Sequence, residues 1–205
     1  LVPGLAEGHA AGRVLQAWKA GPETVALRRQ LEAIPDGGVY ALTVPEAPYR
    51  CPPGPYERVA LIASYFKKAK PRAKVVLFDA NPDVTSKGAL FKKAWNELYP
   101  GIIEYRPQHK VVGVEGNTLR FEVQENFKAD VLNVLPQQRA GRIAVQTGLA
   151  NSNQRWVGVN YLNFESTAAK DIHVVGDAIQ LAAGMPKSGH MANSHGKVAA
   201  AAIVS

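Results

Sequence analysis

Residues 37–80 read GGVYALTVPEAPYRCPPGPYERVALIASYFKKAKPRAKVVLFDA, and their reading decides the fold. GGVYALTVP (37–45) opens on two glycines and continues with β-branched and aromatic residues, which predicts a strand. PYERVALIASYFKKAK (55–70) carries apolar residues at helical spacing and lysines in its last turn, where the helix dipole favours cations. AKVVLFDA (73–80) is short and almost wholly apolar, as a strand inside a parallel sheet is.

Outward from this unit the pattern repeats. SKGALFKKAWNELYP (86–100) predicts a helix with Ser86 as a possible cap, and GIIEYRP (101–107) predicts a strand. The β-α-β-α-β order over residues 38–107 argues for a doubly wound parallel sheet. Upstream, PETVALRRQLEAI (22–34) predicts a helix of about three turns, started by proline and ended by Asp36-Gly37-Gly38. Residues 1–20 read as a connector with a short helix. Downstream, HKVVGVEG, NTLRFEVQ and ADVLNVLP read as three short strands of an antiparallel meander. GRIAVQTGLA (141–150) then predicts a short helix, QRWVGVN and IHVVGDA predict strands, and a final helix follows.

Composition sets the outer limits. The 205 residues are 46% hydrophobic and 20% charged, which supplies a core and excludes a disordered chain. No run of about 18 apolar residues predicts a membrane span. A single cysteine excludes an internal disulfide and a Cys-rich zinc site. The net charge of +7 favours acidic partners without being a nucleic-acid footprint. The chain opens on Leu1 with no signal-peptide pattern, and SGHMANSHGKVAAAAIVS (188–205) runs to the last residue without a helix stop. The expectation is of a piece excised from a longer protein.

A dinucleotide site would place G-x-G-x-x-G between the first strand and its helix, with backbone N–H groups on the pyrophosphate. Here that turn reads VPEAPYRCPPGPYERV, with prolines at 45, 48, 52, 53 and 55. Proline has no N–H to donate, so the turn is unsuited to a pyrophosphate. Asp79 ends the next strand, where a ribose-binding acid would sit, and reads as an architectural remnant. The same turn holds Cys51, beside Arg50 and just before a helix start; both settings favour a thiolate. Glu57 in the first helical turn is a candidate proton acceptor if it points at the thiol. The plainer alternative is an inert cysteine in a rigid loop.

A second motif is IHVVGDAIQLAAGMPKSGHMANSHGK (172–197). Gly176 and Ala178 permit close approach of a bulky ligand, and Asp177 can accept hydrogen bonds from sugar-like hydroxyls. After Met185-Pro186-Lys187-Ser188 a helix N-terminus offers free N–H groups and a positive dipole, suited to negative charge such as that of a reduced flavin. The alternative is an ordinary helix capped by Ser188.

Together these residues carry a resemblance. YRCPPGPYER (49–58) resembles the flavoprotein subunit of flavocytochrome c sulfide dehydrogenase. AWKAG (17–21), LFKKAWNELYPGIIEY (90–105), NVLPQQRAG (133–141), FES (164–166) and GDA…MPKSGHMAN (176–193) fit the same pattern. The resemblance implies an α/β, glutathione-reductase-like fold: a Rossmann-type parallel sheet with an antiparallel meander, plus the returning part of an FAD-binding domain. It implies a connector and helix over 1–34, an NAD-like domain without nucleotide over 35–135, and the C-terminal part of the FAD-binding domain over 136–205. It assigns Cys51 to one half of a redox-active disulfide beside the flavin, and Asp177 to the ribityl chain. It sets Met185, Pro186, Lys187 and Ser188 near the isoalloxazine ring.

The implied activity is oxidation of sulfide through the cysteine pair and FAD, with electrons passed to a cytochrome c subunit in the periplasm. The glycine fingerprint and the second cysteine are absent from this sequence, so this piece alone is expected to hold FAD weakly, if at all, and to be inactive. The rival readings are a sulfide:quinone or other FAD-dependent disulfide oxidoreductase, and a non-catalytic scaffold for a redox partner. FKKAKPRAK (66–74) reads as a solvated helix end before it reads as a docking patch. His190 and His195 are five apart, a poor metal spacing, and Trp18, Trp95 and Trp156 read as packing anchors.

Overall fold

The computed structural model describes residues 2–205 and divides into two units, Leu1–Ala47 with Pro53–Gln137, and Pro48–Pro52 with Gln138–Ser205. The first unit holds α1 (Leu5–Ala10), β1 (Val14–Leu15), α2 (Pro22–Ala33), β2 (Val39–Val44), α3 (Gly54–Ala69), β3 (Lys74–Asp79), α4 (Gly88–Leu98) and β4 (Ile103–Arg106). It continues with β5 (Val111–Glu115), β6 (Thr118–Phe121), β7 (Phe127–Lys128) and β8 (Val131–Val134). Five strands form a parallel sheet in the order β1-β8-β2-β3-β4, and β5-β6-β7 form an antiparallel sheet.

The apolar strands explain the burial. Successive side chains of a strand alternate faces. Ala41, Val76, Phe78, Leu132 and Val134 pack into one cluster with Val114, Leu119 and Phe121 of the meander. The alternate residues Leu42 and Leu77 are equally buried on the opposite face. A sheet covered on both sides needs near-continuous hydrophobic strands, which is what 39–44 and 74–79 supply. Each such side chain contributes about 1.5–3 kcal/mol on burial.

Three expectations are corrected here. ADVLNVLP does not close the meander: Val131–Val134 returns to the parallel sheet between β1 and β2, and Phe127–Lys128 is the meander's third strand. All four residues of β8 are buried, as an interior strand requires. The opening connector contributes a strand, β1, whose two residues pair with Leu132 and Asn133. Ser86 does not cap α4; the cap position is Lys87, at φ +55°, whose carbonyl accepts the first helical N–H groups from Leu90 and Phe91.

The basic run 66–74 has a structural use. Lys67 Nζ donates to Leu98 O at the end of α4, and Lys70 Nζ donates to Leu31 O, Glu32 O and Ile34 O at the end of α2. Arg72 pairs with Asp36. Lys67 of α3 and Lys70 at its C-cap thus satisfy carbonyls that helix ends leave without partners.

The second unit has α5 (Arg142–Gln146), a 3-10 turn at Gly176–Ala178 and α6 (Gly189–Val204). Its core is Ala140, Ala144, Trp156, Val157, Val159, Phe164, Ile179 and Ala199. QRWVGVN and IHVVGDA, expected as strands, make only single bridges, Ser152 to Trp156, Val157 to Ile179, Val159 to Ser166 and Glu165 to His173. Their apolar character serves packing, because no extended neighbour runs alongside them for more than one residue among those described.

Candidate functional site

The cysteine turn is read first through its amides, since those would hold a phosphate. Ala47 N–H donates to Asn81 Oδ1, Arg50 N–H to Gln138 Oε1, and Cys51 N–H to Lys187 O at 2.7 Å. Three of the amides that the prolines leave are therefore taken by the protein itself. Cys51 is exposed, and its φ of +57° lies in the left-handed region that disfavours side chains.

Within the second unit these anchors close into a ring of residues. Arg50 is held by Gln138, and Gln138 O accepts from Arg155 Nε and Nη2 at 3.1 and 2.8 Å. The Arg155 guanidinium lies 5.2 Å from the Trp156 ring centroid, and Lys187 Nζ lies 3.5 Å from it. Lys187 O returns to Cys51 N–H. Two cations over one indole gain from its quadrupole. Lys187 is 2% exposed, and its ammonium donates to Asp177 O at 2.8 Å and Ile179 O at 2.7 Å. Burial lowers its pKa to about 8; Arg155 adds to that shift, and Asp177 opposes it. Gln138, Arg155 and Trp156 were not singled out as site residues by their sequence. The only signal was that Gln138 falls inside NVLPQQRAG.

The Gly176–Ala178 turn is the second half of the site. Gly176 has φ +74°, and a Cβ there would stand 3.1 Å from Ala192 Cβ on α6, so glycine is required by conformation and by packing. Its N–H donates to His195 Nδ1 at 3.1 Å. That bond leaves the proton on Nε2. Nε2 is buried without a hydrogen-bond partner among the described residues, and the imidazole stacks on Phe164 at 4.5 Å. Burial holds His195 below the usual histidine range, and Lys187 reinforces this against Asp177. Asp177 Oδ1 is likewise buried with no partner among the described residues. Ala178 O accepts from Val157 N–H. Ser188 caps α6 by accepting from Met191 N–H at 3.2 Å. Met185 packs against the core of this unit, and Pro186 is exposed.

Cys51, Gly176, Asp177, Ala178, Met185, Pro186, Lys187 and Ser188 thus fall in one unit. Glu57 falls in the other, exposed on the first turn of α3. Lys187 directs its ammonium at main-chain carbonyls and an indole face.

Asp79 belongs to the first unit and is fully buried. Oδ2 accepts from Tyr56 at 2.7 Å and Tyr105 at 3.2 Å; Oδ1 accepts from Asn81 N–H at 2.9 Å and Asn81 Nδ2 at 2.7 Å. Burial raises its pKa against the pull of those donors. Asn81 also donates to Pro45 O, so the acid pins the exits of β2 and β3 together. Among the described residues no three His, Cys, Asp or Glu side chains group as a metal site, and no helix is long and apolar enough to cross a membrane.

Residues 24–136 match the family described as sulfide dehydrogenase (flavocytochrome c) flavoprotein chain, central. Among solved structures, reduced CoADR-RHD of Bacillus anthracis is 16% identical with a TM-score of 0.63, covering 98% of this chain and 35% of that one. Bacillithiol disulfide reductase Bdr of Staphylococcus aureus is 11% identical with a TM-score of 0.60, covering 99% and 57%. A pyridine nucleotide-disulfide family oxidoreductase of Enterococcus faecalis V583 is 13% identical with a TM-score of 0.63, covering 92% and 42%. At such identities the likeness is one of fold, and this chain spans between about a third and three fifths of each of those proteins' length.

Proposed function

Because this chain belongs to the family of flavocytochrome c sulfide dehydrogenase flavoproteins, we propose that the protein containing it is an FAD-dependent oxidoreductase that oxidises sulfide and delivers the electrons to a cytochrome c. The periplasm is the proposed compartment, where a disulfide persists. The observation that carries the reading is the second unit's combination of an exposed cysteine in a tethered turn and a buried carboxylate oxygen without a partner.

The fit to FAD rests on that oxygen. Leaving a buried acceptor unsatisfied costs about 1–3 kcal/mol, and a hydroxyl of a ribityl chain would satisfy Asp177 Oδ1. Gly176 sets the backbone that carries Asp177, and the capped start of α6 presents a positive dipole to any negative charge at its end. When bound, FAD supplies a two-electron acceptor that can release electrons singly to a haem.

Cys51 has the chemical part. The chain holds one cysteine, so a disulfide needs a second cysteine from outside these 205 residues. Sulfide attacks that disulfide, a new S–S bond forms on one cysteine, and the other leaves as thiolate. The proline-flanked turn keeps the sulfur exposed while its amide is fixed.

The test uses the full-length flavoprotein under anaerobic conditions. Sulfide is expected to bleach the flavin band of the wild type and to bleach Cys51→Ser at least about a hundredfold more slowly. Equal bleaching in both would remove Cys51 from the mechanism. A full-length protein without any flavin band would overturn the FAD reading.

A further inference from the structure

We infer that Lys187 is a positioning residue for Cys51: its buried side chain clamps the Gly176–Ala178 turn while its main chain clamps the cysteine turn, fixing the two at one separation. The inference rests on the reading of Cys51 as the redox thiol.

Three observations lead to it. Cys51 sits at φ +57°, a conformation that costs a non-glycine residue about 1–2 kcal/mol. Such strain persists where the surroundings over-determine it. The restraint is the 2.7 Å bond from Cys51 N–H to Lys187 O, helped by Arg50 N–H on Gln138.

A carbonyl holds its partner only as firmly as its own residue is held. Lys187 is held on every side: 2% exposed, with its ammonium on Asp177 O and Ile179 O and 3.5 Å from the Trp156 centroid. An ammonium has three donors, two of which go to these carbonyls while the indole face lies against the group. The side chain therefore has little left to offer a ligand, and its effect on the chemistry is mechanical.

A buried ammonium is also a costly filler. Met or Leu would occupy the volume without the desolvation penalty of a charge. What Met or Leu would not do is bond the carbonyls on both sides of Ala178. Removing that hold frees the 185–188 segment from the turn, and the carbonyl that restrains Cys51 moves with it.

The experiment compares wild type, Lys187→Met, Lys187→Gln and Cys51→Ser in the full-length flavoprotein. Amide hydrogen exchange at Cys51 is expected to speed up about tenfold in Lys187→Met and about threefold in Lys187→Gln, which keeps an NH2 donor group on a shorter side chain, while Leu42 and Leu77 exchange as in wild type. Flavin bleaching by sulfide is expected to slow about tenfold in Lys187→Met, and bleaching by dithionite, which bypasses the cysteines, to stay unchanged. Wild-type exchange at Cys51 in either folded variant overturns the clamp, as does equal slowing with sulfide and dithionite. If Lys187→Met does not fold, Lys187→Gln alone carries both measurements. If Cys51→Ser bleaches with sulfide like wild type, the reading of the redox thiol fails, and the exchange rates still decide the clamp.

Discussion

Asp79 and Asp177 invite the same reading from sequence, an acid at the end of an apolar run placed to meet a nucleotide hydroxyl. The structure separates them. Asp79 has four internal donors on its two oxygens and no exposure. Asp177 has a buried Oδ1 that nothing among the described residues satisfies. A saturated carboxylate is part of the frame, and an unsatisfied one marks where a ligand's donor fits. The difference arises in the neighbours: two tyrosines and an asparagine converge on Asp79, whereas Asp177 is flanked by a left-handed glycine and a 3-10 turn.

The strongest way to break this contrast is to remove each acid in the full-length protein. Asp79→Ala removes the acceptor of four hydrogen bonds and should cost about 3–5 kcal/mol of stability, read as a fall in Tm, with FAD affinity changed only through unfolding. Asp177→Ala should do the reverse, weakening FAD binding about a hundredfold in a fluorescence titration while Tm of the apoprotein moves little. Equal effects of the two variants would collapse the distinction.

A second handle is pH. Lys187 titrates in the folded protein at about 8, below the ordinary lysine value of 10.5. Between those values the unfolded chain holds a proton that the folded one has released, so stability rises with pH across that window. The rise is at most about 3 kcal/mol, and it should be absent from Lys187→Met in urea unfolding at pH 8 and pH 10. A neutral amine still has two donors for its two carbonyls, so the clamp survives the titration.

Gly176→Ala tests the backbone of the unsaturated region. A Cβ at φ +74°, 3.1 Å from Ala192, should cost about 1–2 kcal/mol and lower Tm. The corresponding change at Gly141, where the structure leaves open space and φ is −58°, should be nearly neutral. The smallest effect belongs to the frame: Lys70→Ala should cost about 1 kcal/mol through the lost α2 cap, and Lys67→Ala somewhat less. If either variant instead weakens cytochrome c binding while leaving Tm in place, the basic run docks a partner rather than capping helices.

What was legible in the sequence follows from the same contrast. The β2-α3-β3-α4-β4 run could be read because β2 and β3 are buried on both faces and each helix carries its own apolar stripe, so local pattern and tertiary role agree. VLNV was misplaced because four apolar-flanked residues read alike in a hairpin and in a sheet interior; pairing with Tyr40 and Val14, far away in sequence, made the difference. IHVVGDA has strand composition, yet composition cannot supply a neighbour to pair with. The GDA and CPPGP motifs were legible from their own residues, and the resemblance gave them roles. The ring joining them through Gln138, Arg155, Trp156 and Lys187 was not, because it runs largely through main-chain groups whose partners no residue type announces.

The bond from Cys51 N–H to Lys187 O also orders events in time. The first unit's sheet is complete once Val134 has been made, but the turn carrying the cysteine belongs to a body whose remaining residues begin at Gln138. Its anchor lies far along the chain from it, and closing so long a loop is entropically slow. During synthesis the thiol therefore waits on a finished domain without its own restraint, open to whatever oxidant it meets. The strained geometry of Cys51 is thus acquired only after the first unit's sheet has all its strands.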